Sequence, residues 1–109
     1  MSRGPTPGLC VIYRFRLKPG AEQRFIEAWS AVTIGLRDER GGLGSRLHRG
    51  PEGIWYAYAQ WPSAEARREA FAGAPVSPDA SAMMRDAIEE QLPEIVLDPV
   101  VDLLVLPSS

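Results

Sequence analysis

Asparagine does not occur in this sequence, and histidine and cysteine occur once each, as His48 and Cys10. A single cysteine closes no disulfide within the chain, so the fold must stand on packing alone, and a reducing, cytoplasmic setting is expected. One histidine among scattered carboxylates makes no cluster at metal-ligand spacing, so no metal is expected. The sequence also lacks a long apolar run. The opening stretch, Met1 to Gly8, is a loose Pro/Gly segment without the hydrophobic core of a signal peptide or membrane span. Charge of one sign is missing as well: 12 Lys and Arg stand against 14 Asp and Glu. That balance leaves no electrostatic footprint for nucleic acid or an anionic membrane, and neither partner is expected. There is no Gly-rich phosphate loop, no dinucleotide fingerprint, no Ser or Cys nucleophile arrangement and no internal repeat.

What is present fits one domain. A chain of 109 residues, 45% of them hydrophobic, supplies one core and no second. The expected layout is a flexible segment over 1–8, a single domain over 9–106 and a tail over 107–109.

The centre of the chain is a hairpin. Gly50-Pro51-Glu52-Gly53 joins two runs of strand composition, Pro fixing one φ and Gly permitting a positive one. The only histidine, two of three tryptophans and two of three tyrosines fall between Gly44 and Trp61. Along the third strand, Tyr56 and Tyr58 alternate onto one face and Trp55 and Trp61 onto the other.

Leu9 to Leu17 reads as a first strand, stopped by Lys18-Pro19-Gly20, with Tyr13, Phe15 and Leu17 on one face and Cys10, Ile12, Arg14 and Arg16 on the other. In that apolar setting Cys10 is a small buried hydrophobe. From Ala21 to about Glu39, apolar residues at steps of three and four, Phe25, Ala28, Trp29, Val32 and Leu36 among them, define one side of a helix that Gly41-Gly42 ends. After the hairpin, Ser63 is an N-cap for the strong helix-former run Ala64 to Ala72. Gly73 to Pro78 interrupts it. Helix then resumes from about Asp79 to Gln91 with Met83, Met84, Ala87 and Ile88 inward, and a final strand is expected over Ile95 to Leu106, kinked near Asp98-Pro99.

The order strand, helix, strand, strand, helix, strand predicts a ferredoxin-like α+β fold, a four-stranded antiparallel sheet with its helices on one face. A small sheet that is apolar on both faces needs a second layer. A homodimer whose sheets pack face to face supplies it and closes an α+β barrel.

Several runs together resemble one family: Tyr13-Arg14-Phe15-Arg16-Leu17-Lys18-Pro19-Gly20, then Phe25 and Trp29, then Gly44-Ser45-Arg46-Leu47-His48, and finally Tyr58-Ala59-Gln60-Trp61-Pro62-Ser63. From about Leu9 to Leu106 the chain resembles the antibiotic biosynthesis monooxygenase family of dimeric α+β barrels. That resemblance implies a pocket between sheet and helices holding a flat phenolic or polyketide-like molecule. It also implies a cofactor-independent oxygenase, in which the deprotonated substrate itself reduces oxygen and the protein binds it, assists loss of a proton and stabilises the anion.

On that basis the catalytic candidates are His48 as base, because imidazole titrates nearest neutral pH, Arg46 (with Arg14 an alternative) for an oxyanion, and Tyr58. Tyr13, Trp29, Trp55, Trp61 and Met83 are the candidate substrate-binding residues. Each has a plainer role open to it. Trp29 sits mid-stripe as core packing, Arg46 suits an interface ion pair, and the strand aromatics suit packing or a subunit interface. The haem-degrading branch is disfavoured by the lack of any asparagine or of a histidine after His48, and an asparagine role in the quinone-forming branch must pass to Gln60 or Arg46. Two other functions remain open, a non-catalytic small-molecule binding or accessory protein and an isomerase or cyclase.

Overall fold

The computed structural model describes residues 8–105. The segment expected over 1–8, Gly8 apart, and the tail over 107–109 lie outside the described residues, as does the expected strand end at Leu106.

The elements follow in the order β1 (Leu9–Leu17), α1 (Glu22–Glu39), β2 (Ser45–Arg49), β3 (Ile54–Trp61), α2 (Ala64–Phe71), α3 (Pro78–Ala87) and β4 (Ile88–Leu97). All strand pairs are antiparallel, and the sheet order is β2-β3-β1-β4, the ferredoxin-like arrangement. Leu9 stands opposite Trp61, Phe15 opposite Trp55, and Leu47 opposite Ala57. Directly opposed residues share a face, so this register commits the odd-numbered positions of β1, β2 and β3 to the helices. Along β3 every second residue, Trp55, Ala57, Ala59 and Trp61, is buried.

Two clusters make the core. Phe15, Phe25 and Trp55 meet at one end, with Phe25 5.3 Å from Phe15 and 6.0 Å from Trp55 between ring centroids. Leu9, Val11, Ala59, Trp61 and Ala70 meet at the other. Local signals act as their chemistry directs. Gly41 takes φ +80°, and the next amide, Gly42, donates to the Leu36 carbonyl at 3.0 Å, closing the last turn of α1. Ser63 Oγ accepts from the Ala66 amide at 3.0 Å and starts α2. At the hairpin, Pro51–Gly53 form one tight turn in which Glu52 and Gly53 both take positive φ, and Gly50 donates to Ile54 at 2.8 Å.

The last third departs from expectation. Helix α3 ends at Ala87, the strand begins at Ile88 rather than Ile95, and residues 98–105 carry no regular structure. Ile88 to Gln91 are sound helix formers, but pairing with β1 overrides local propensity, and the residue before Pro93 is biased to extended backbone anyway. Pro93 falls in a register shift, between the Ile12–Ile95 and Arg14–Leu92 pairs, where a missing N–H costs no ladder bond. Its free carbonyl takes two hydrogen bonds from Arg14, at 3.1 and 2.8 Å. Of the residues expected inward, Met84, Ala87 and Ile88 pack against the core, whereas Met83 is 45% exposed, on the outer side of α3.

Candidate functional site: an apolar cavity between sheet and helices

Between the inner face of the sheet and the helices lies a cavity of about 220 Å³. One wall is sheet, with Tyr13 and Phe15 from β1 and Ala59 and Trp61 from β3. Opposite them α1 presents Trp29, Val32, Thr33 and Leu36, a stripe set by its three-and-four spacing. Phe71 at the end of α2, Met84 of α3 and Ile88 of β4 add further apolar groups, and Arg37, Ser45, Gln60, Arg85 and Gln91 add polar ones. The volume lies below the ~300–1,000 Å³ usual for sites that take drug-sized ligands.

Polar groups are few and placed. Arg67 of α2 donates from Nε to the Tyr13 hydroxyl at 3.2 Å and from a terminal nitrogen to Glu94 Oε2 of β4 at 2.6 Å. Its guanidinium also lies 5.6 Å from the Tyr13 ring centroid and 5.9 Å from that of Phe71. Glu94 thus fixes Arg67, and Arg67 fixes Tyr13. Burial raises the Tyr13 pKa above its ordinary value, and this outweighs the opposing pull of Arg67, so the phenol keeps its proton and is free to donate it. For Arg67, burial alone would lower the pKa, but the bonds to Tyr13 and Glu94 more than offset that and raise it.

The second donor is Trp61. Its side chain is 3% exposed, its ring packs at 5.6 Å against Phe71, and its indole Nε1 is buried without a hydrogen-bond partner. Trp61 also exerts the weakest of the influences on Tyr13, a slight lowering, which places the two groups near one another although the N–H completes no bond. An unsatisfied buried donor costs about 1–3 kcal/mol.

The structure divides the expected site residues between two sides of the sheet. Tyr13, Trp29 and Trp61 line the cavity. Trp55 belongs to the core, where Arg49 covers its ring at 5.0 Å, and it borders only a second, more open depression beside β2. Met83 is displaced by its neighbour Met84. His48, Arg46 and Tyr58 fall at even positions and so stand on the outer sheet face, away from the cavity. There Arg46 Nε donates to His48 Nε2 at 3.1 Å, while Tyr58 lies 3.0 Å from Cys10 Sγ and 3.5 Å from Gln60 Nε2. The contact with Cys10 is the main cause of a raised Tyr58 pKa. The Arg67–Glu94 pair escaped sequence reasoning because 27 residues and a bulge separate its members.

The split βαββαβ arrangement, a four-stranded antiparallel sheet with its helices on one face and a cavity between them, defines a ferredoxin-like α+β protein. By its match to the family model over residues 8–86, the chain belongs to the antibiotic biosynthesis monooxygenase family. Solved structures share the fold. SnoaB of Streptomyces nogalater, a cofactor-independent oxygenase, superposes with a TM-score of 0.73 at 16% identity, over 90% of this chain and 98% of that one. A Mycobacterium tuberculosis protein does so at 0.70 and 22% identity, over 91% and 100%. A conserved protein of Methanosarcina mazei Go1 gives 0.68 at 11% identity, over 83% and 90%. No curated protein matches in sequence.

Proposed function

We propose that this protein is a cofactor-independent monooxygenase acting on a small, flat, hydroxylated aromatic held in the cavity. The observation that carries this reading is the protonated Tyr13 hydroxyl, with the buried Trp61 N–H beside it, in a cavity lined mainly by apolar side chains. Two donors near each other in a largely apolar cavity stabilise an oxygen that gains negative charge. A phenol bound there loses its O–H proton, and a ring ketone the C–H proton of its ring CH2, more readily, because either anion is delocalised between that oxygen and a ring carbon. The carbanion then supplies the electrons to dioxygen. One oxygen atom ends as a new substrate carbonyl and the other leaves as water with the two substrate hydrogens, so no external reductant is needed. Family membership and the fold shared with SnoaB support the reading at the level of class.

The test is oxygen consumption with a panel of hydroxylated anthrones and naphthols, free of metal and flavin. Wild type is expected to take up oxygen and form quinone, and Trp61→Phe, which keeps a ring but removes the donor, to slow it about tenfold or more. His48→Ala distinguishes the two sides of the sheet: a rate near wild type keeps the chemistry in the cavity, and a collapse moves it to the outer face. A second reading is favoured by one feature, that the only titratable side chains lining the cavity are Tyr13, Arg37 and Arg85, none of them an evident base. It is a non-catalytic binding protein. Ligands that bind without drawing oxygen above the spontaneous rate would establish it. We also propose that the protein is a homodimer joined through the outer sheet face.

A further inference from the structure

Helix α2 lies across two walls of the cavity and is held there largely by polar contacts. Of its eight residues Ala70 alone is buried, in the cluster with Leu9, Val11, Ala59 and Trp61. Arg67 and Phe71, four residues apart, share one side of the helix. The Arg67 guanidinium lies over the Tyr13 ring at 5.6 Å, and the Phe71 ring packs on Trp61 at 5.6 Å. Phe71 both lines the cavity and is 52% exposed, so it forms part of the wall between cavity and solvent. The two halves of the helix are held differently. At the C-terminal end Arg40, just past α1, donates to the Ala70 and Ala74 carbonyls at 2.8 and 3.1 Å, and Gly73, at φ +80°, turns the chain away. Among the described residues, the one polar tie from an α2 side chain to another element is Arg67, to Tyr13 of β1 and Glu94 of β4. Arg67 is 21% exposed and Glu94 39%, so the pair meets water on one side and parts without stranding a buried charge.

We propose that α2 is the cover of the cavity and that the Arg67–Glu94 pair is its latch. When the pair parts, the first half of the helix lifts about the end that Arg40 holds and uncovers Tyr13 and Trp61. A helix with so little buried surface belongs to the least stable part of a fold, where local opening is cheap. An ion pair at the edge of solvent is weak and screened by salt, which lets such a cover open often, and movements of this kind gate many binding sites. The inference rests on the cavity being the ligand site, as proposed above, and does not depend on oxygen chemistry.

Opening is read in two ways. Amide hydrogen exchange of the free protein, followed by mass spectrometry, reports α2 itself. Stopped-flow quenching of tryptophan fluorescence by 2-naphthol, in the absence of oxygen, reports passage into the cavity, whose walls include Trp29 and Trp61. Glu94→Gln parts the pair and leaves Arg67 on its helix. It is expected to speed exchange over Ala64–Phe71 by about two- to fivefold, and to raise the association and dissociation rate constants of 2-naphthol together by that factor with Kd unchanged. A pair that only braced the site would raise dissociation alone. Arg67→Met, which keeps the stem, should do at least as much, and added salt should speed wild type but not Glu94→Gln. Glu90→Gln, whose partner Arg16 stands 3.4 Å away on the outer sheet face, should change nothing. Unchanged exchange in Glu94→Gln, faster exchange with both rate constants unmoved, a rise in dissociation alone, or an equal effect of Glu90→Gln overturns the latch. If 2-naphthol does not bind, the cavity loses its standing as the ligand site and exchange alone decides: faster exchange confined to α2 upholds the latch, and unchanged exchange removes it.

Discussion

Tyr13 is where burial and charge meet in this protein. Its hydroxyl sits at the inner sheet face under Arg67, and burial holds the phenolic pKa above the ordinary 10.0. A raised native pKa means that the folded state binds the proton more tightly than the unfolded chain does. The stability this contributes is fully present below pH 10 and is lost as pH rises through the native value. Urea midpoints measured from pH 8 upward should hold steady and then fall above about pH 10, and Tyr13→Phe should flatten the fall. Tyr58, also raised, titrates in the same sense, so the slope will be reduced and not erased. A midpoint that rises above pH 10 would contradict the arrangement. Trp61 poses the complementary case, a buried donor left without a hydrogen-bond partner.

Among the elements, α2 depends on its cap more than α1 does. It has eight residues, too few to be stable by propensity, and Ser63 supplies the one side-chain bond to its first turn. Ser63→Ala should lower the unfolding free energy by about 1 kcal/mol, read from urea denaturation, and because Arg67 rides on this helix it should also loosen the grip on Tyr13. A cap of this kind is legible from residues alone, as were α1, the hairpin turn and the alternation of β3, since each rests on contacts within a few positions in sequence. The β4 boundary was not. Ile88-Glu89-Glu90-Gln91 carry helix propensity, and only pairing with β1, more than 70 residues earlier, makes them a strand. Pro93 was the available signal, because a helix cannot run through it without losing a hydrogen bond. The candidate site was half legible for a related reason. Period-two alternation separates Trp61 from Tyr58, yet it cannot say which face the helices cover, so His48 and Arg46 were grouped with a cavity that lies on the other side of the sheet.

At the scale of the molecule, the helices cover one sheet face and leave the other without a helix, Cys10 being buried there but its neighbours much less so. Ile12, Tyr56 and Tyr58 are only half-buried there, Ile95 and Leu97 are 40% and 42% exposed, and Val100, Val101, Leu103, Leu104 and Val105 beyond them range from 65% to 91%. Apolar surface this continuous is costly in water, and a two-fold partner presenting the same face buries both copies at once. Sedimentation equilibrium at micromolar concentration should therefore give twice the 12.0 kDa of one chain. Ile12→Asp, a charge at the centre of that face, should return the monomer with its far-UV circular dichroism intact, because the position is only half-buried in one chain and would be sealed only in a dimer. Wild type at 12.0 kDa across that range would remove the dimer. The same variant also asks whether the two faces act independently. The cavity is built from the inner face and the helices of one chain, so monomeric Ile12→Asp should still bind 2-naphthol with wild-type affinity. If affinity falls with the mass, the second subunit braces or completes the site, and the outer-face residues His48, Arg46 and Tyr58 regain a claim on the chemistry.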